Sequence, residues 1–173
     1  MHRAPERLRD EVPQLLARAR AVGVTGVVSI ASDATDGVAA RAIALEHADV
    51  WSTAGIHPHA AGVATTDDRQ LVEELITQPK VVALGETGLD FYRDRTPPDD
   101  QQRAFEAQID LARRTAKPLV IHTRAAEDPT IATLRGHADG VRVILHCFSM
   151  PDRLDECLEE GWWISFAGNV TYP

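Results

Sequence analysis

Val81-Val82-Ala83-Leu84-Gly85-Glu86 is an unbroken apolar run that stops on a glycine and a carboxylate, entered from Pro79-Lys80. A strand with one wet face alternates apolar and polar residues, whereas a continuous run suits a strand covered on both faces, as in a parallel sheet. On the N-terminal side, Asp67 opens a helix-periodic stretch carrying Leu71, Val72, Leu75 and Ile76, and Pro79 stops it. On the C-terminal side a second such stretch covers about Asp99 to Thr115, with Phe105, Ile109 and Ala112 on one face.

The same alternation continues outward in both directions. Upstream, a helix is expected from about Glu6 to Ala21, entered through Pro5, with Leu8, Val12, Leu15 and Ala19 on one face. The run Gly26–Ile30 follows it, then a helix capped by Asp36 with Val38, Ala42 and Leu45, then the run Val50–Ile56. Downstream come Leu119–Ile121, a helix carrying Ile131 and Leu134, the run Val141–Leu145, a short helix near Asp152–Glu160, and the run Trp162–Phe166. Six runs separated by helices predict an α/β fold around a parallel sheet, forming a single domain over residues 1–173. A doubly wound sheet and a barrel both satisfy this pattern, and both place their sites at the C-terminal strand ends. No G-x-G-x-x-G or P-loop follows any run, which removes the usual support for nucleotide binding and favours the barrel.

At 173 residues the chain is short for a closed (β/α)8 barrel, which takes about 250. An incomplete barrel of six βα units, lacking a first and a last strand, is therefore expected, with raw sheet edges that tend to pair with other chains. Hydrophobic residues at 44% and charged residues at 25% exclude disordered and collagen-like readings. The net charge of −8 provides no broad basic surface for nucleic acid, so a phosphate substrate would need local cations or bound metal. Cys147 and Cys157 show no C-x-x-C spacing, which fits a reducing compartment and argues against structural zinc or a disulfide framework. Neither a signal-like apolar stretch in Met1–Asp10 nor a membrane-length apolar run is present, so a cytoplasmic protein without membrane contact is expected.

Three of the seven histidines, His57, His122 and His146, directly follow apolar runs, and Glu86 occupies the matching place on another. Side chains at neighbouring parallel strand ends converge on one bowl, and imidazole with carboxylate suits zinc, manganese, iron or nickel. Taken singly, each residue can equally hydrogen-bond a loop or cap a turn. Taken together, Glu86, His122 and His146 point to bound metal. Arg124, two residues past His122, can grip a phosphate through two parallel hydrogen bonds or pair with Glu127 or Asp128. Asp90 can support a ligand histidine from behind or cap its loop. Cys147 lacks an indicated general base and reads as a structural thiol, and Cys157 as core.

The segments Ala54-Gly55-Ile56-His57-Pro58-His59, Gly85-Glu86-Thr87-Gly88-Leu89-Asp90 with its Phe91-Tyr92-Arg93 continuation, Ile121-His122-Thr123-Arg124 and His146-Cys147-Phe148-Ser149 resemble, in order, the signature segments of TatD-type metal-dependent deoxyribonucleases. The resemblance extends over nearly the whole chain. It implies a TIM-type barrel with two divalent ions (Mg, Mn or Zn), Glu86 as the bridging catalytic carboxylate, and His122 and His146 as ligands of the second ion. It implies phosphodiester hydrolysis of DNA, taken as single strands or ends, with His57 and His59 contacting the phosphate or a metal-bound water. Ions would also supply the positive potential that a −8 chain lacks.

Two of that family's features are absent from the sequence: an initial His-x-His upstream of Pro5, and a Glu-Thr-Asp segment after the last strand. Glu86, His122 and His146 can still hold a single ion with an open position, since catalytic zinc sites often use three protein ligands. Hydrolysis of an ester or amide on the same barrel, including an aminoacyl-tRNA ester, is the second enzymatic reading. A binding protein with a degraded metal site is the third.

Overall fold

In the computed structural model, residues 11–93 and 95–171 are described. Helices and strands alternate: α1 (Val12–Ala21), β1 (Val27–Ser29), α2 (Ala34–Glu46), β2 (Val50–Ala54), α3 (Thr66–Ile76), β3 (Val81–Asp90), α4 (Pro98–Thr115), β4 (Leu119–Arg124), α5 (Glu127–His137), β5 (Val143–Leu145), α6 (Leu154–Glu159) and β6 (Trp163–Ile164). All neighbouring strands are parallel, and their spatial order β1-β2-β3-β4-β5-β6 follows the chain, curling as an open half-barrel. A doubly wound sheet reverses its strand order at a switch point. No reversal occurs here, so the barrel reading holds.

Helix starts follow local chemistry. Asp33, not Asp36, caps α2 by accepting the Asp36 amide, and Asp36 sits in the first turn accepting the Ser32 hydroxyl. Thr65 and Asp68 cap α3 reciprocally, so that helix opens before Asp67. Pro98 occupies the first turn of α4, where its missing N–H leaves no bond unmade. The expected start of α1 at Glu6, with Pro5 and Leu8, lies outside the described residues, as does His2.

The periodicity of α2 pointed to the wrong face. Val38 and Leu45 are exposed, while Ala34, Gly37, Ala40 and Ala44 are buried. The helix lies close against β2 and α3: a Cβ at Gly37 would meet Leu75 Cδ1 at 3.1 Å and Ala54 at 3.8 Å, leaving room only for small side chains. In α1 the buried residue is Leu16, and Leu15 faces out. The faces of α3, α4 and α5 are as expected, with Ile76, Phe105, Ile109, Ile131 and Leu134 packed against Leu84, Leu119, Ile121 and Leu145 of the sheet. Trp162 is packed in this core, whereas Trp163 on β6 is 71% exposed and lies outside it.

The strand β3 is longer than its apolar run. After Leu84 its register against β4 shifts, Leu84 pairing with Leu119 but Thr87 with Ile121, and pairing then continues to Asp90 opposite Arg124. Three steps on β3 match two on β4, a bulge at Gly85-Glu86 that re-aims the side chain there. Two glycines permit it: at φ 138° and 131°, a Cβ on Gly85 or Gly88 would approach the Val120 or His122 carbonyl oxygen to 2.4 or 2.1 Å. Glu86 therefore lies inside a strand, not at its end.

Candidate metal centre

The sheet delivers four polar side chains to one place at its C-terminal edge. Glu86 projects from the bulge, and its amide donates to the Ala31 carbonyl at 2.9 Å, locking the turn toward the end of β1. Gly88 pairs with His122 and Asp90 with Arg124 across β3 and β4. His57 follows β2 in a short 3-10 turn, Pro58–Ala60, and its amide donates to the Ser32 carbonyl at 3.0 Å.

Within this cluster Glu86 Oε1 lies 3.1 Å from His122 Nδ1, and Asp90 Oδ2 lies 3.0 Å from His122 Nε2 and 2.7 Å from His59 Nε2. The rings of His57 and His122 are 4.5 Å apart between centroids. One ligand atom each from His57, Glu86 and His122 lies within 4.8 Å of the others, the group among the described residues able to hold an ion. Nitrogen and carboxylate donors of this kind suit zinc or manganese, and a carboxylate behind a ligand imidazole is the usual way its tautomer is fixed. Asp90 stands in that place for His122. It is 1% exposed, and its Oδ1 is satisfied by the amides of Tyr92 and Arg93 at 3.0 and 2.9 Å. One Asp90 oxygen thus holds the two imidazoles and the other the loop amides.

The electrostatics form a coupled set. Burial works to raise the Glu86 carboxyl, but the His122 hydrogen bond and the charges of His122, His57 and His146 outweigh it and hold the group below the ordinary range. Burial likewise disfavours the charged His122 ring, but Glu86 and Asp90 prevail and its pKa is raised. Burial also opposes the charged Asp90, yet hydrogen bonds from the Arg93 amide, His59 and His122 bring its pKa down. For His59 burial wins over Asp90, and its pKa is lowered. Without metal, Glu86 and His122 thus each favour the charged form of the other.

His57 Nδ1 accepts the His59 amide at 3.1 Å. A neutral ring with that nitrogen occupied as acceptor carries its proton on Nε2 and presents a donor to the cluster. His146 follows β5 but is not within the close group. Its Nε2 lies 3.3 Å from Cys147 Sγ and its Nδ1 3.2 Å from Ser165 Oγ. Arg124 pairs with neither Glu127 nor Asp128: it stacks on Tyr92 with Cζ 3.9 Å from the ring centroid, and Asp128 pairs with Arg153. Burial and the Glu86 charge push the Cys147 thiol up, and the buried Cys157 is raised chiefly by burial; both cysteines are free.

Three supporting residues escaped the sequence reading. Gln108 is buried on α4; its Oε1 accepts the Ile56 amide and its Nε2 reaches the Ile56 carbonyl and Thr87 Oγ1, at 2.8, 3.0 and 2.7 Å. Gln101, two turns earlier on the same face, grips the backbone of Asp90 at both N–H and C=O. A glutamine on the core face of an amphipathic helix, in line with Phe105 and Ala112, was the available signal. Ser165, which bonds both His146 and the Cys147 amide at 3.1 Å, left no comparable signal.

Comparison with known proteins gives the family of the chain. The family model described as TatD related DNase matches residues 1–173. A "3'-5' ssDNA/RNA exonuclease TatD" of Edwardsiella piscicida is 40% identical over 161 residues, covering 91% of this chain and 62% of that protein. An "Uncharacterized metal-dependent hydrolase TatD" of Mycobacterium tuberculosis is 38% identical over 169 residues, 94% of this chain and 64% of that protein. The crystal structure of YJJV, a TatD homologue from Escherichia coli k12, superposes with a TM-score of 0.88 at 26% identity, covering 95% of this chain and 64% of that one. The chain thus spans less than two thirds of the length of the curated relatives it matches. It belongs to the TatD-related DNase family.

Proposed function

We propose that the chain carries the metal site of a hydrolase that cleaves phosphodiester bonds in single-stranded nucleic acid, and that Glu86, His122 and His146 hold its ion. The observation that carries this reading is the Glu86–His122 pair locked from behind by buried Asp90 at the C-terminal strand ends. A divalent ion bound there supplies Lewis acidity and lowers the pKa of water toward neutrality. Glu86, held below the ordinary carboxyl range, stays ionised at neutral pH as ligand and proton acceptor. Asp90 accepts the Nε2 proton of His122 and so leaves Nδ1, the nitrogen facing Glu86, as the metal-binding lone pair.

His57 presents Nε2–H to the same space, which suits a phosphate oxygen better than a cation. His59 commits its Nε2–H to Asp90 and leaves Nδ1 to accept from a metal-bound water, and Arg124 adds a fixed positive charge at the rim. His146 is the proposed third ligand through Nε2, exchanging its contact with the Cys147 thiol for the ion while Ser165 keeps Nδ1. Mg, Mn and Zn all fit this donor set, and two free thiols suit a reducing, cytoplasmic setting. Single strands are favoured because relatives are named as single-stranded DNA and RNA exonucleases.

The test is release of nucleotides from a labelled single-stranded oligonucleotide with Mn²⁺, set beside an aminoacyl ester. Metal-dependent cleavage of the oligonucleotide that Glu86→Ala abolishes is expected. Undiminished cleavage by Glu86→Ala, or turnover of the ester alone, overturns the reading.

A further inference from the structure

We propose that Tyr92, stacked on Arg124, is a base-stacking platform that seats one nucleobase of a single strand beside the metal centre. The proposal rests on the nucleic-acid reading above and goes beyond it by naming where a base, rather than a phosphate, is held.

The two residues are placed by the same strands that carry the cluster. Arg124 lies two residues beyond His122 on β4, on the same face of the strand, and Asp90, two residues before Tyr92, is its register partner on β3. The loop is fixed where it leaves the sheet: the Tyr92 and Arg93 amides donate to Asp90 Oδ1, and the Phe91 amide donates to the Arg124 carbonyl at 2.9 Å. One carboxylate therefore sets both His122 and the start of the aromatic loop.

Tyr92 is 60% and Phe91 40% exposed, although aromatic rings of this size ordinarily find cover. The Arg124 guanidinium lies 3.9 Å from the Tyr92 centroid, and that of Arg93 lies 5.3 Å away. Such a stack stiffens the ring and leaves exposed aromatic surface for a further planar group. Among the described residues no carboxylate pairs with Arg93, Arg95 or Arg124, so this rim concentrates positive charge on a chain of net charge −8. An exposed ring among cations, next to donors suited to a phosphate, is the combination by which single strands are held: bases stack and the backbone tracks the charges. The occupant is accordingly a nucleotide unit whose base lies on Tyr92 and whose phosphate points toward His57 and Arg124.

The experiment measures binding of a fluorescent oligothymidylate, and of an abasic strand of equal length, by anisotropy with Ca²⁺ present. For the natural chain, oligothymidylate binds more tightly than the abasic strand. Tyr92→Ala weakens oligothymidylate binding about tenfold, leaves abasic binding unchanged, and leaves the far-UV spectrum unchanged because the ring is exposed. Tyr92→Phe retains binding, and Arg124→Lys, which keeps charge but loses the plane, falls between. If the natural chain binds oligothymidylate and Tyr92→Ala binds it equally well, the platform is refuted while the nucleic-acid reading stands. If the natural chain binds neither strand, the nucleic-acid reading fails and the platform with it.

Discussion

Asp90 divides its two oxygens between structure and chemistry. One accepts the amides that start the aromatic loop, and the other holds His59 and His122. Asp90→Asn keeps the shape but cannot accept two ring N–H bonds on one oxygen with the same strength, and metal affinity is expected to fall roughly 10- to 100-fold. A calorimetric titration checks this, with the far-UV spectrum as the control for folding. The protons at the centre also set its pH response. Metal requires the lone pair that a proton occupies on His122, whose pKa is raised above the ordinary 6.5, so affinity falls as pH drops through that range, by about tenfold per unit for one proton. Stability without metal runs the other way at its upper limit. The raised His122 contributes fully at lower pH and loses its contribution as pH rises through its folded pKa, while the lowered Glu86 loses its contribution as pH falls through its own. The Glu86–His122 contribution to the metal-free protein is therefore full between about pH 4.5 and 6.5 and is lost as pH falls through the folded pKa of Glu86 or rises through that of His122, while His59, whose pKa is lowered, subtracts from it as pH falls below 6.5; thermal scans across pH check this.

At the scale of elements, α4 is the brace of the site. Phe105, Ile109 and Ala112 bury it against the sheet, and Gln101 and Gln108 on the same face close the backbone bonds of β2 and β3 where those strands end in site residues. Gln108→Leu leaves the Ile56 amide and carbonyl buried without a partner and is expected to cost about 2–3 kcal/mol, read from urea unfolding. The same substitution also loosens His57, which directly follows Ile56. The bulge of β3 is equally specific: a side chain at Gly88 meets backbone 2.1 Å away, so Gly88→Ala is expected to cost about 3 kcal/mol or more and to lower metal affinity through the displaced His122. Sequence periodicity found α3, α4 and α5 because Leu, Ile and Phe mark their buried faces. It misjudged α2 because alanine and glycine do the packing there, and small side chains carry little hydrophobic signal.

For the whole molecule, six parallel strands in chain order give one curved sheet whose C-terminal edge carries Glu86, Asp90, His122 and Arg124, with His57 and His146 just beyond β2 and β5. Among the described residues no helix is long and apolar enough to cross a membrane. The sheet order and the meeting of Glu86 with His122 were legible in the sequence, since both follow from apolar runs ending at equivalent places. The approach of His57 to that pair was legible in position only, because its tautomer depends on an amide two residues away. What stayed hidden is the second layer: Ser165 reaches His146 across β5 and β6, a contact that depends on sheet register and leaves no trace in residue spacing. The bulge was hidden for the same reason, since Gly85 and Gly88 show room for a close approach without saying which strand makes it. The central claim for the molecule is that Glu86 and His122 hold a divalent ion in this open half-barrel. Titration of the metal-free chain with Mn²⁺ or Zn²⁺ by calorimetry tests it most directly. Saturable binding that is lost in both Glu86→Ala and His122→Ala is predicted; no binding by the natural chain, or equally tight binding by the two variants, would contradict it.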